Sequence, residues 1–129
     1  MPENTYIREP FESELEFFKK NKKVGGMATE DGKVILNPFS SLSQTEKEAV
    51  ALNESARLYI RKIGAPSFSI TNDQKKKFNE YGSEDDVKST IAARILSDDP
   101  SVSDATDEQI KYVNRFLKPY VKPPIMSSE

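Results

Sequence analysis

Between positions 52 and 63 apolar side chains return every three or four residues. Leu52, Ala56, Tyr59, Ile60 and Ile63 stand at i, i+4, i+7, i+8 and i+11, which is one face of a 3.6-residue period. Ser43 and Glu46 ahead of them have the S-x-x-E spacing of a capping box, in which hydroxyl and carboxylate each take one amide donor that the first turn leaves free. Gly64 suits the left-handed position past the last turn, and Pro66 stops the helix from resuming. Arg61 and Lys62 place cations at its negative end. A helix over 43–63 is therefore the element around which the rest of the chain is expected to pack.

The pattern on either side predicts shorter elements. Residues 1–9 read as a loose leader. Pro10 fits a first helical turn, with Phe11, Leu15 and Phe18 at i, i+4 and i+7 behind it. Asp31-Gly32 between GMATE and KVILN predicts a β-hairpin at about 26–37 closed by a type I′ turn, both central residues at positive φ. In that register Glu30 faces Lys33, Thr29 faces Val34 and Met27 faces Leu36. Such a hairpin is marginal alone and must lean on the helices or gain a strand from a partner. Gly25 and Gly26 mark a strand end or a close approach of backbone.

Beyond the central helix, APSFSI reads as an extended linker, with a short third strand as the alternative. Thr71-x-x-Gln74 opens a short helix through Tyr81, with Phe78 and Tyr81 inward and Gly82 as its stop. Ser83 caps the next helix, whose core stripe is Val87, Ile91 and Ile95, with Ala92 and Ala93 allowing close approach. Thr106-x-x-Gln109 opens the last, lined by Ile110, Val113 and Leu117 and ended by Pro119. Residues 119–129 are expected to be extended and partly disordered. The fold class expected is α+β, mostly α: a single domain over 1–129, with about five helices packed around helix 43–63 and one hairpin.

Composition narrows the chemistry. Only 36% of residues are hydrophobic and 31% are charged, so the core is thin, and the seven Phe and five Tyr carry much of the burial. There is no Cys and no His. That removes cysteine nucleophiles, disulfides and nearly all zinc, copper and non-haem iron sites, together with the usual general base near neutral pH. No metal and no cofactor is expected. No G-x-S-x-G elbow or S-x-x-K is present, so the expectation is a protein that is not an enzyme. The N-terminal stretch is polar and acidic, unlike a signal peptide, and no run of about 18 apolar residues occurs, so the cytoplasm of the producing cell is the expected location.

Three clusters remain as candidate contact surfaces. Asn53, Glu54, Arg57 and Arg61 crowd one side of the central helix, where two guanidinium groups could reach one carboxylate. This is either a polar site beside a groove or a helix-surface salt bridge worth a few tenths of a kcal/mol. Lys19, Lys20, Lys22 and Lys23, with Lys75, Lys76 and Lys77, offer a nucleic-acid contact if both clusters share a face with aromatics between them. Residues 83–110 carry eight acids against two bases, and 111–122 carry four bases and no acid. This predicts electrostatic pairing of the last two helices, or a cation or basic-partner site on the acidic loop. Counting from Asp99, that loop lacks the turn glycine and has Ile110 at the twelfth position, so it is no EF-hand. A weak divalent site near Asp98, Asp99 and Asp104 is the remaining metal alternative.

Two resemblances accompany these readings. The hairpin followed by a helix carrying Asn53-Glu54-Ser55-Ala56-Arg57 resembles the zincin metallopeptidase core, with Asn53 and Arg57 in place of the two His ligands. The resemblance implies a degenerate peptidase fold whose metal site is lost and in which only Glu54 survives. The segments GMATEDGKVILNPFSSLS, EAVALNESARLYIR and STIAARILSDDPSVSDAT resemble small uncharacterised proteins of marine tailed bacteriophages. That resemblance implies a viral protein, virion-associated or host-interacting, and transfers no active site. The function expected is non-enzymatic protein–protein interaction, with a partner or a second copy of the chain, through the hairpin edge and the Asn53/Glu54/Arg57/Arg61 face. A nucleic-acid-binding accessory protein is the alternative, and a membrane partner is not expected.

Overall fold

The computed structural model describes residues 6–123 and the short strand at 125–126. In chain order the elements are β1 (Tyr6–Ile7), α1 (Glu12–Lys20), β2 (Gly26–Ala28), β3 (Val34–Leu36), α2 (Gln44–Ile63), α3 (Asn72–Lys77), α4 (Glu84–Leu96), α5 (Asp107–Tyr112) and β4 (Ile125–Met126). A π-turn over Val113–Leu117 extends α5, and single 3-10 turns follow α3 and α4. The α+β, mostly helical class expected from the pattern is what forms.

The central helix starts and stops where its signals stand. Ser43 Oγ accepts from Glu46 N at 3.2 Å, and Glu46 Oε1 accepts from Ser43 N at 3.0 Å. Gly64 closes the helix at φ +92°, its N–H donating to the Ile60 carbonyl at 2.8 Å. The buried stripe is turned from the expected one. Ala51, Ser55, Ala56 and Ile60 are buried, Leu52 and Tyr59 are half-buried, and Ile63 is 47% exposed. The cause is that α2 packs against β2 and β3 as well as against α4, so its small residues, not its largest ones, lie where neighbours come closest. Gly25 and Gly26 answer the same crowding. A Cβ on Gly26 would stand 2.8 Å from the Ile35 carbonyl oxygen and 3.0 Å from Val50, and one on Gly25 would stand 2.9 Å from Leu42.

The hairpin forms one register away from the expected pairing. Gly26 faces Leu36, Met27 faces Ile35, Ala28 faces Val34, and Thr29 N donates to the Lys33 carbonyl at 2.9 Å. The loop thus has three residues, and Gly32 alone lies at positive φ, at +78°. A type I′ turn would also need Asp31 in the left-handed region. Instead Thr29 Oγ1 donates to the Asp31 carboxylate and accepts from Lys33 N, which fixes the longer loop.

Nor does the hairpin stand alone. Tyr6–Ile7, inside the segment read as a loose leader, forms a strand parallel to β3 with Ile7 opposite Val34. β4, from the segment read as tail, pairs with β1 and completes the order β2-β3-β1-β4. The remainder of those two readings, residues 1–5, 124 and 127–129, lies outside the described residues. Val34 and Ile35 are adjacent, point to opposite faces and are both fully buried, so β3 is covered on both sides.

Arg8 ties β1 to its surroundings. Its Nη1 and Nη2 meet the two Glu14 oxygens at 2.8 and 3.0 Å, and its Nε meets Asp31 at 3.2 Å. The hydrogen bonds from Arg8 hold the Glu14 carboxyl below its ordinary range. α1 begins after Phe11, not at Pro10, and Phe11 is 60% exposed with the Arg8 guanidinium 3.9 Å above its ring. It is a platform for a cation, not part of the core. Asn37 is buried. Its Nδ2 donates to the Val24 and Asn21 carbonyls at 2.7 and 3.2 Å, fastening the end of α1 to the sheet.

The last helices join through two glutamines. The capping boxes expected at Thr71 and Thr106 form, and the Ser83 cap forms with Asp86 completing a box of its own. Gln74 and Gln109, the third residues of two of them, are fully buried and bond to each other reciprocally at 2.8 and 2.7 Å. Each Oε1 also accepts from its own cap residue, Thr71 N at 2.9 Å and Thr106 N at 3.0 Å. With Gln109 inward, Ile110 turns out to 40% exposure, against expectation. Gln109, Val113, Leu117 and Val121 are then buried at strict four-residue spacing. An α-helix would drift off that line, and the wider π-turn with its Lys118 N to Val113 O bond brings it back. Val113 and Leu117 share the main hydrophobic cluster with Ile91 and Ala92. No ion pair among the described residues joins 83–110 to 111–122, so this contact is apolar and the electrostatic pairing expected there does not occur.

Gln109→Leu would strip Gln74 and the Thr106 N–H of buried partners. We expect a loss of about 3 kcal/mol in urea unfolding, at 1–3 kcal/mol for each unsatisfied buried group. A loss below about 1 kcal/mol would show that the pair is dispensable.

Candidate functional site

Along the first half of α2 runs a cleft of about 550 Å³. Its walls are Leu42 ahead of α2, α2 at Glu46, Ala49, Val50, Asn53, Glu54 and Arg57, the Gly25-Gly26 backbone, and the far end of α4 with the turn at 97–100. Tyr81 and Arg94 complete it. The close approach that the two glycines permit thus draws one wall, and the end of α4 draws the other.

Glu54 is half-buried against the outer edge of the sheet. Residues 25 and 29 of the hairpin carry the bonds to β3, which leaves the Ala28 N–H on the free side of β2. That N–H lies beside the Glu54 carboxylate and favours its charged form. Burial pushes the carboxyl above the ordinary value, against the charges of Arg57 and Arg61 and the Ala28 N–H. Expectation placed two guanidinium groups on this carboxylate, and neither makes an ion pair with it. Arg57 directs Nε to Asn53 Oδ1 at 3.2 Å and Nη2 to Thr90 Oγ1 at 3.1 Å. Arg61 directs Nη1 to the Thr29 carbonyl at 3.1 Å. Arg57 thus bridges α2 to α4, and Arg61 bridges it to the hairpin, where the Thr29 carbonyl also accepts from Gly32 N at 3.2 Å.

The four residues expected to form one face are therefore divided. Asn53, Glu54 and Arg57 line the cleft, while Arg61 lines a separate depression of about 430 Å³ with Gly64, Asp85 and Asp86. The hairpin edge, expected as a second contact surface, is engaged by the chain's own α2 through Glu54 and Arg61.

Sequence reasoning missed the opposite wall. Arg94 donates to Tyr81 Oη at 2.7 Å and to Ser101 Oγ at 3.0 Å, its guanidinium 5.1 Å from the Phe78 ring. Tyr81 was expected inward and is 39% exposed, since its hydroxyl must reach Arg94. Asp98 ends α4 at φ +56° in a Schellman arrangement, with Asp98 N on the Ile95 carbonyl at 3.1 Å and Asp99 N on the Arg94 carbonyl at 2.9 Å. The signal for this was the missing glycine: a helix end marked by Ser97, Asp98 and Asp99 must use one of them in the left-handed region.

The other candidate surfaces are spread out. Asp99 caps Ser101 N at 2.8 Å, and Asp104 lies 3.7 Å from Lys77 Nζ. Among the described residues no three carboxylates converge as a cation site requires, which removes the divalent site at Asp98, Asp99 and Asp104. Lys77 is committed to the acidic loop, donating also to the Ser101 carbonyl at 2.9 Å. Lys75 and Lys76 are exposed, as are Lys19, Lys20, Lys22 and Lys23, and no ring contact or hydrogen bond among the described residues links the two clusters. No helix among the described residues is long and apolar enough to cross a membrane.

Compared with known proteins, the chain matches no family model, no curated protein and no solved structure.

Two variants probe the cleft walls. Asp98→Gly should raise stability by about 1 kcal/mol, the usual penalty for a side chain in the left-handed region, and thermal unfolding would register it. Glu54 has a raised folded-state pKa, so the folded state binds more protons than the unfolded one and wild-type stability falls as pH rises through that range. Glu54→Gln removes the penalty. It should be more stable than wild type near neutral pH and lose that advantage in acid, in urea unfolding compared at the two conditions.

Proposed function

We propose that this chain is a non-enzymatic interaction protein that receives a segment of a protein partner in the cleft beside α2. The observation that supports the reading most is the placement of Asn53, Glu54 and Arg57. They line a concave, partly apolar cleft instead of forming a flat salt bridge on a helix surface. Leu42, Ala49, Val50 and Tyr81 give it apolar contact area, and the ordered Arg57 and Arg94 give it rigid polar walls. Rigid walls keep the entropy lost on binding low. The resemblance to phage proteins makes a virion or host protein the partner to look for.

A photo-crosslinking residue at Ala49, on the cleft wall, is expected to give a discrete adduct in the producing cell, while one at the exposed Lys75 gives none. Ala49→Arg, which fills the cleft, should abolish an adduct formed from a second crosslinker at Asn53 while leaving the circular dichroism of the fold unchanged. Adducts of equal yield from Ala49 and Lys75 would refute the reading.

A further inference from the structure

We propose that the group received by this cleft is a cationic side chain, the ammonium of a Lys or the guanidinium of an Arg, seated on Glu54. The inference rests on the partner-binding reading and names the chemistry of its contact. Glu54 is half-buried and lines the cleft, with the Ala28 N–H beside it and, among the described residues, no ion pair to its carboxylate. A carboxylate in such a place accepts several more bonds and gains most from a charged donor. The chain's own cations do not fill that need. Arg57 is held by Asn53 and Thr90, and Arg94 by Tyr81 and Ser101, each through two donors. Swinging either toward Glu54 would strand the fully buried Thr90 hydroxyl or expose the Phe78 and Tyr81 rings that Arg94 covers.

The charge balance of the cleft agrees. Glu46, Glu54, Asp98 and Asp99 line it against Arg57 and Arg94, so its excess is negative. Leu42 and Val50 on the same wall offer apolar surface to a four-carbon or three-carbon stem. An anionic occupant would meet four carboxylates and two guanidinium groups already engaged. The raised proton affinity of Glu54 has the same origin, a desolvation that the nearby charges of Arg57 and Arg61 do not offset.

The Ala28 amide, beside the Glu54 carboxylate, is a built-in reporter. Isotope-labelled protein is titrated with N-acetyl-lysine methylamide and N-acetyl-arginine methylamide, against the norleucine and glutamate analogues and Mg²⁺. A saturating Ala28 shift with the cationic pair, absent with norleucine and glutamate, is expected. Glu54→Gln, which keeps an acceptor for Ala28, should weaken it at least about tenfold, equivalent to about 1.4 kcal/mol. An unmoved Ala28, an equal response in Glu54→Gln, or a response to Mg²⁺ alone would overturn the proposal. The Ala49 crosslinker separates the two claims. An adduct that survives Glu54→Gln undiminished overturns the cationic contact and leaves the partner-binding reading. No adduct in the wild type overturns that reading itself.

Discussion

The rest of the structure depends on how closely α2 can be approached from two sides. The sheet reaches it through Gly25 and Gly26, where an added Cβ would collide with Leu42, Val50 or the Ile35 carbonyl. α4 shares a buried cluster with it through Ala56 on one helix and Ala92 and Ala93 on the other. Small residues at both contacts bring backbones together and gain dispersion from many close atoms, which a chain with few large aliphatic side chains needs. The close packing also creates the cleft. α2 is 20 residues long and outruns both neighbours, so its first half is contacted by the sheet edge and the tip of α4 but not covered by them.

A thin apolar core puts weight on polar groups that are buried and satisfied. Gln74 and Gln109 join two short helices that could not persist alone. Asn37 fastens α1 to the hairpin, and Arg57 bonds across to Thr90 on α4. Such bonds are directional, so they fix the mutual positions of elements more sharply than apolar contact does, and removing one partner strands the other. The rigidity of the cleft walls follows from this. Its arginines are structural cations first, and their charges face Glu54 without reaching it.

Local signals were legible in the sequence wherever the physics is local. The capping boxes at Ser43, Thr71 and Thr106, the Ser83 cap, Gly64 and the helix order could be read because each involves residues three or four apart. The failures were non-local. Nothing near Ile63 or Ile110 says which side of the helix the sheet and α4 will occupy, so their exposure followed from tertiary packing. The hairpin register turned on whether Asp31 or Thr29 made the decisive bond, and Asp-Gly alone favoured the wrong loop. β1 was invisible because two residues carry no periodicity. Of the site, Asn53, Glu54 and Arg57 were legible as a cluster, but the cleft was not, because Tyr81, Arg94 and Asp98 reach it from another part of the chain.

Several unfavourable local choices meet at this one place. Asp98 occupies a backbone conformation that glycine would adopt without strain, on the order of 1 kcal/mol cheaper. Asp98 puts negative charge at the negative end of α4, where the macrodipole repels it, whereas Asp99 is held by the Ser101 N–H and by the charge of Arg94. Glu54 is desolvated more than the charges of Arg57 and Arg61 offset. Elsewhere the helices follow the opposite rule, with acids at their starts and Lys or Arg in their last turns. α4 follows the same rule, with Arg94 in its last turn, so the local loss beside the cleft is confined to the Asp98 backbone and charge and to the desolvated Glu54. Strain and misplaced charge of this kind persist where they serve an interaction outside the fold. A cation brought by a partner would relieve the desolvated carboxylate and the repelled charge together, which is why these losses point to the same ligand chemistry.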